Sequence, residues 1–144
     1  ETPCPEILSL LLNALYALCR TGKDPRLLKA AFQFRLMALS GFEPLAEECA
    51  VCGTAQPEGP VLGISGGFVA GGTCRGPERS FRLPLTEAGL AALRHVLYAD
   101  PRRLYSFTLE PNALRALDQA GEAFIAAQLE RGFRTLDYYK ALLG

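Results

Sequence analysis

Residues 49–53 read CAVCG, a pair of cysteines two residues apart that is closed by a glycine. Two thiolates with this spacing in a tight turn reach one metal ion, so the stretch is half of a zinc knuckle. The second half is expected some way downstream, where residues 71–77 read GGTCRGP. Cys74 is present there, but Pro77 stands where its cysteine partner should be. The sequence therefore predicts a metal site with an incomplete ligand set.

The predicted metal ligands are Cys49, Cys52 and Cys74. The candidates for the fourth ligand are Glu78, His95, a water molecule and a neighbouring chain. Structural zinc takes four ligands, so we expect zinc to be held weakly or not at all. Two alternatives remain: a knuckle-shaped loop without metal, and a disulfide between Cys74 and one of the pair. A lone histidine on an apolar helix, such as His95, is more typical of a surface or partly packed residue.

Bulk composition points to one globular domain, with 49% hydrophobic and 21% charged residues in 144. Fifteen basic residues balance fifteen acidic ones, so no overall attraction to nucleic acid is visible. Five cysteines at uneven spacing do not resemble a secreted disulfide framework, and no apolar run is long enough to span a bilayer. We expect a cytoplasmic protein with no membrane partner, and a fragment, because the chain starts without methionine.

Helices are predicted on both sides of the cysteine region. Residues 4–22 are apolar around most of the helix, which favours a central core position with Cys19 buried. A second helix is capped by Asp24 and ends at Gly41, and a third is capped by Thr86. Four apolar residues form the predicted inward stripe of the second helix: Leu28, Phe32, Leu36 and Leu39. Residues 111–133 predict the longest helix and residues 135–144 a short closing one.

Between the helices, residues 43–84 are rich in Gly and Pro and lose the helical pattern. Val61, Leu62 and Ile64 predict one strand of a hairpin, and Phe68 and Val69 predict its return. The predicted fold class is mainly α: a helical, bundle-like domain with a small β-hairpin insertion that resembles a zinc knuckle.

Two stretches carry a family resemblance: FQFRLMALSGFEPLAEECAVCG at residues 32–53 and ERGFRTLDYYKALL at residues 130–143. An F-x-x-R-L-L-type helix that ends at glycine and an aromatic residue, followed by C-x-x-C-G, resembles the RecO family of bacterial recombination mediators. The resemblance covers nearly the whole chain. It implies that residues 1–144 are the C-terminal helical part and that an N-terminal OB-fold lies upstream.

The resemblance also implies a function without catalysis. RecO proteins anneal complementary strands, and with RecR they help load RecA onto DNA coated by single-stranded-DNA-binding protein. The implied partners are RecR, the acidic tail of that coating protein, and single- and double-stranded DNA, in the bacterial cytoplasm near the nucleoid. No P-loop, Ser/His/Asp set or paired-carboxylate motif argues for an enzyme. The alternative is a metal-binding regulatory or protein-interaction module of another helical family.

Two groups of cations are candidates for these contacts. A basic surface behind the knuckle would track phosphates, and its residues are Arg75, Arg79 and Arg82. The second helix would form one wall of a groove for the acidic peptide, and its cations are Arg26, Lys29 and Arg35. For both groups a solvated surface is the alternative interpretation.

Overall fold

The computed structural model describes residues 5–75 and 81–143. Within them the helices are α1 (Pro5–Arg20), α2 (Pro25–Leu39), α3 (Glu87–Tyr98) and α4 (Pro111–Leu143), with a short 3-10 turn at Pro101–Arg103. The strands are β1 (Val61–Gly63), β2 (Phe68–Ala70) and β3 (Arg82–Pro84). The predicted fold class, a mainly helical domain with a small β insertion, is confirmed. No helix in these two ranges combines the length and the apolar content that a membrane crossing needs.

Helix α2 lies at the centre of the domain and packs against α1, α3 and α4. Its start is fixed as predicted, because the Asp24 carboxylate accepts a hydrogen bond of 2.9 Å from the Arg26 N–H. Because neighbours surround α2, its buried residues occupy more than one stripe: Leu27, Leu28, Ala30, Ala31, Phe34 and Met37. Of the four residues predicted to face inward, only Leu28 is buried, and the other three are half-buried.

The contact between α2 and α4 forms the middle of the core. The rings of Phe34 and Phe124 stack with their centroids 6.1 Å apart. Gly121 makes this approach possible, since a Cβ atom there would lie 3.1 Å from the Phe34 ring. Leu117 and Gln128 of α4 are buried as well.

The central position predicted for α1 is wrong. Only Leu10 and Ala17 of this helix are buried, and Cys19, predicted to be buried, is exposed. An all-round apolar sequence predicts a covered helix, but in the described residues α1 packs on one side, against α2.

The predicted break between two C-terminal helices is also wrong, since α4 runs without interruption for 33 residues. At Gly132, beside the expected break, the backbone stays helical rather than adopting the positive φ with which a glycine ends a helix. No proline follows to stop the helix either.

The insertion between α2 and α3 carries a three-stranded antiparallel sheet in the order β2-β1-β3. The predicted hairpin is present, with Leu62 opposite Val69, although Ile64 lies just beyond β1. Strand β3 was not predicted, because its three residues include a proline and show no alternating pattern. Leu62 and Val69 are fully buried, so the sheet is packed on the helical body.

Candidate metal centre and its surroundings

The three predicted cysteines meet at one point of the insertion. The Sγ atoms of Cys49, Cys52 and Cys74 all lie within 4.8 Å of one another. Gly53, at φ +82°, supplies the left-handed turn that closes the first pair, and its N–H donates to the Cys49 carbonyl at 2.9 Å. Cys74 is brought in from the far side of the hairpin. Cys49 is buried, Cys74 is half-buried and Cys52 is exposed.

Backbone N–H groups converge on the buried sulfur. Cys49 Sγ accepts hydrogen bonds of 3.4 Å from the N–H groups of Val51, Cys52 and Gly71. Burial raises the pKa of Cys49, but these donors together outweigh burial and lower the pKa to about 6. The pKa of Cys74 is raised, because its thiol hydrogen-bonds to the sulfurs of Cys49 and Cys52. The cluster therefore favours a thiolate at Cys49, and thiolates are the form that binds metals.

Three positions of a tetrahedral zinc site fit this geometry. With Zn–S bonds of ~2.3 Å, the sulfurs of such a site lie roughly 4 Å apart. No His, Asp or Glu in residues 5–75 and 81–143 joins the three cysteines as a ligand group. His95 is used elsewhere: its Nε2 lies 2.7 Å from the Arg103 carbonyl oxygen, and its ring packs on Phe107. Pro77 and Glu78 lie outside the described residues, and the three cysteines are free thiols.

Arg94 on α3 holds the cysteine loop in place, and the sequence reasoning missed it. Its guanidinium donates to the carbonyl oxygens of Ala46 at 2.7 Å, Glu47 at 3.1 Å and Ala55 at 2.7 Å. One side chain thus binds the loop before and after the Cys49–Cys52 turn. The available signal was a single arginine in a predominantly apolar helix, which is weak evidence without the fold.

The arginines predicted behind the knuckle have different surroundings. Arg82 donates to the Cys74 carbonyl oxygen at 2.8 Å, and its guanidinium lies 5.4 Å from the centre of the Phe68 ring. Arg82 therefore holds the loop that carries Cys74 against the sheet. Arg75 is exposed next to Cys74, and Arg79 lies outside the described residues.

The cations predicted on α2 do not form one open face. Lys29 pairs with Asp118 at 3.0 Å and with Glu122, and the hydrogen bond to Glu122 is the main reason that its pKa is raised. Arg35 donates to the carbonyl oxygens of Val96 at 2.8 Å and Ala99 at 3.0 Å, at the end of α3. Arg26 is exposed at the start of the helix.

An apolar hollow of about 550 Å³ lies beside the end of α2. Its walls include Leu36 and Met37 of α2, Phe42 of the following loop, and Gln128 and Leu129 of α4. Phe42 and Leu129 are 42% and 54% exposed, so apolar surface is open to a ligand here. The peptide groove predicted along α2 stays a prediction, and Arg26, Lys29 and Arg35 are not among the residues that line this hollow.

Together, the fold and the cysteine geometry define a helical domain that carries a zinc-knuckle-type insertion. Residues 1–137 match the family model described as "Recombination protein O C terminal". The chain belongs to this RecO C-terminal family, and the resemblance predicted from the sequence is confirmed.

Several relatives carry the name DNA repair protein RecO. The one from Acetivibrio thermocellus is 25% identical over 141 residues, which cover 97% of this chain and 55% of the relative. The one from Anaeromyxobacter dehalogenans strain 2CP-C is 33% identical over 147 residues, covering 99% of this chain and 57% of the relative. The chain therefore spans about half the length of these relatives.

Zinc is expected at less than one tightly held ion per chain, because the described ligand set is one short. Elemental analysis before and after dialysis against a chelator measures this. Cys49→Ser should abolish what zinc there is, and Cys19→Ser, an exposed thiol far from the cluster in sequence, is the matched control. Since the pKa of Cys49 is about 6, binding should fall as pH drops through that value. One zinc per chain that survives the chelator would contradict the expectation.

Proposed function

We propose that this chain is the C-terminal part of a DNA repair protein that acts as a recombination mediator and not as an enzyme. The full-length protein anneals complementary strands and, with RecR, helps RecA onto DNA coated by single-stranded-DNA-binding protein. The family match over residues 1–137 is the observation that carries this proposal. The cysteine cluster within 4.8 Å supports it, because two of its members, Cys49 and Cys52, lie in residues 32–53, on which the resemblance rests.

The helical body, in this proposal, binds the acidic tail of the coating protein. The hollow at Leu36, Phe42 and Leu129 would receive the apolar end of the peptide. Arg26, Lys29 and Arg35 remain the proposed cations for its carboxylates. Arg35 also holds the end of α3 and Lys29 already faces two carboxylates, so substitutions there change stability as well as binding. Exposed Arg26 offers the cleanest charge reversal of the three.

Arg75, Arg79 and Arg82 are the proposed phosphate contacts of this part. With a formal net charge of zero, the chain by itself should bind DNA weakly and lose binding steeply with salt. The main DNA surface in this proposal is an N-terminal OB-fold of the full-length protein. Metal at Cys49, Cys52 and Cys74, where held, has the structural role of fixing the loop beside these arginines. The proposed location is the bacterial cytoplasm, near the nucleoid.

Strand annealing by the full-length protein tests the function. We expect faster annealing of two complementary oligonucleotides, both when they are bare and when they are coated by the single-stranded-DNA-binding protein of the same organism. Fluorescence quenching between labelled strands measures the rate. The matched control is a coating protein that lacks its acidic tail. The full-length protein should still accelerate annealing of bare strands, but it should not accelerate annealing of strands coated by this truncated protein. Equal rates with and without the full-length protein on bare strands would overturn the proposal.

A further inference from the structure

Several large apolar side chains on helix α1 are not covered by the other described elements. They are 43–63% exposed: Leu8, Leu11, Leu12, Leu15, Tyr16 and Leu18. Proteins that act alone rarely expose a contiguous apolar patch of this kind, and such patches mark a contact with another surface.

The exposed residues form one continuous face and not a scatter. At 3.6 residues per turn, Leu8, Leu12, Leu15 and Cys19 fall on one line along the helix, with Leu11 and Leu18 beside it. The opposite side carries the buried Leu10 and Ala17, which face α2. A polar strip of Glu6, Ser9, Asn13 and Arg20 separates the two apolar faces on one side. A helix with two apolar faces is typical of an element packed between two layers.

We propose that the outer face of α1, defined by Leu8, Leu11, Leu12, Leu15 and Leu18, is the docking surface for the polypeptide that immediately precedes residue 1 in the full-length protein. The family model describes a C-terminal part, and the chain covers 55% and 57% of two relatives. The remaining length of those relatives therefore lies mainly on the N-terminal side, which is the side of α1.

Covalent attachment favours this occupant over a free partner. A segment joined to the chain a few residues before α1 is present at a high effective concentration, so even a modest apolar contact stays closed. The face also lacks charge: within its stretch of helix the acidic and basic residues, Glu6 and Arg20, lie on the polar strip. An apolar surface of this kind suits an apolar layer of the same protein rather than an acidic peptide or DNA.

The inference rests on the proposed upstream part, and photo-crosslinking in the full-length protein tests it directly. A benzophenone amino acid replaces Leu12, and a second protein carries it at Leu142, which is 66% exposed near the end of α4, as the control. After irradiation, mass spectrometry of the digest should join α1 to peptides that precede residue 1 of the same molecule. The control should give no such products. A covalent dimer, products with other proteins only, or no products at position 12 would each overturn the proposal.

A stability measurement supplies an independent arm. Leu12→Glu should lower the thermal midpoint of the full-length protein by ~5 °C or more, and Leu142→Glu should change it by much less. An unchanged midpoint in Leu12→Glu would contradict a buried position. Crosslinks to the upstream segment in a protein that fails to anneal strands would leave this inference standing and remove the proposed function. Annealing without those crosslinks would remove this inference and leave the proposed function standing.

Discussion

Replacing Phe34 by alanine is expected to lower the free energy of unfolding by about 3–5 kcal/mol. The side chain is 1% exposed and stacks on Phe124, at the point where α2 meets α4. Gly121 leaves no side chain that could move into the space, and Leu117 and Phe124 are held by their own helix. A loss of this size is a large share of the ~5–15 kcal/mol that stabilises a typical domain.

Urea unfolding followed by circular dichroism measures this change. Phe81→Ala is the matched control, because the same ring is removed from a position that is 64% exposed. The control should shift the free energy of unfolding by ~0.5 kcal/mol or less. If Phe34→Ala shifts it no more than the control does, the packing of α2 on α4 is not as described.

Arg94→Ala is expected to destabilise the cysteine loop by about 2–4 kcal/mol. Hydrogen bonds to charged groups contribute ~1.5–3 kcal/mol each when well formed, and Arg94 makes three to the loop, some of them partly exposed. The loss should be local, because Arg94 ties α3 to residues 46–55 and not to the contact between α2 and α4. Hydrogen exchange of the amides in 46–55 should speed up, and zinc retention should fall with it.

Two further variants serve as comparisons for the effect of Arg94→Ala on the cysteine loop. Arg94→Lys keeps the charge but not the planar fork that reaches several carbonyl oxygens, so it should restore little of the protection. Arg115→Ala removes an exposed arginine whose hydrogen bond goes to Asn112 on the same helix, and it should leave the loop unchanged. Normal exchange of residues 46–55 in Arg94→Ala would show that the loop does not depend on this side chain.

Local chemistry made the helix starts and the cysteine cluster predictable from the sequence. Asp24 before Pro25 and Thr86 before Glu87 each place a side-chain acceptor at a helix start, and both caps are present. The spacing of Cys49 and Cys52 is enough to predict the turn that holds them. The hairpin predicted between Cys52 and Cys74 then brings Cys74 back to this pair.

Interactions across long sequence separations were not predictable in the same way. Arg35 and Arg94 look like surface cations in the sequence, yet their partners lie 61 and 48 residues away. The prediction for α1 was wrong for a related reason: its apolar sequence favours a covered helix, but within the described residues α1 packs on one side only, against α2. The break predicted between residues 133 and 135 is absent because Gly132 beside it keeps a helical backbone, and a glycine ends a helix only when its backbone leaves the helical conformation.

Loading of RecA onto coated DNA is the most direct test of the mediator role. RecA hydrolyses ATP only after it assembles on DNA, so the lag before hydrolysis on a strand coated by single-stranded-DNA-binding protein measures loading. With RecR and the full-length protein of the same organism present, the lag should shorten, and neither protein should hydrolyse ATP without RecA. An unchanged lag with a folded protein that binds RecR would contradict the role proposed for this family member.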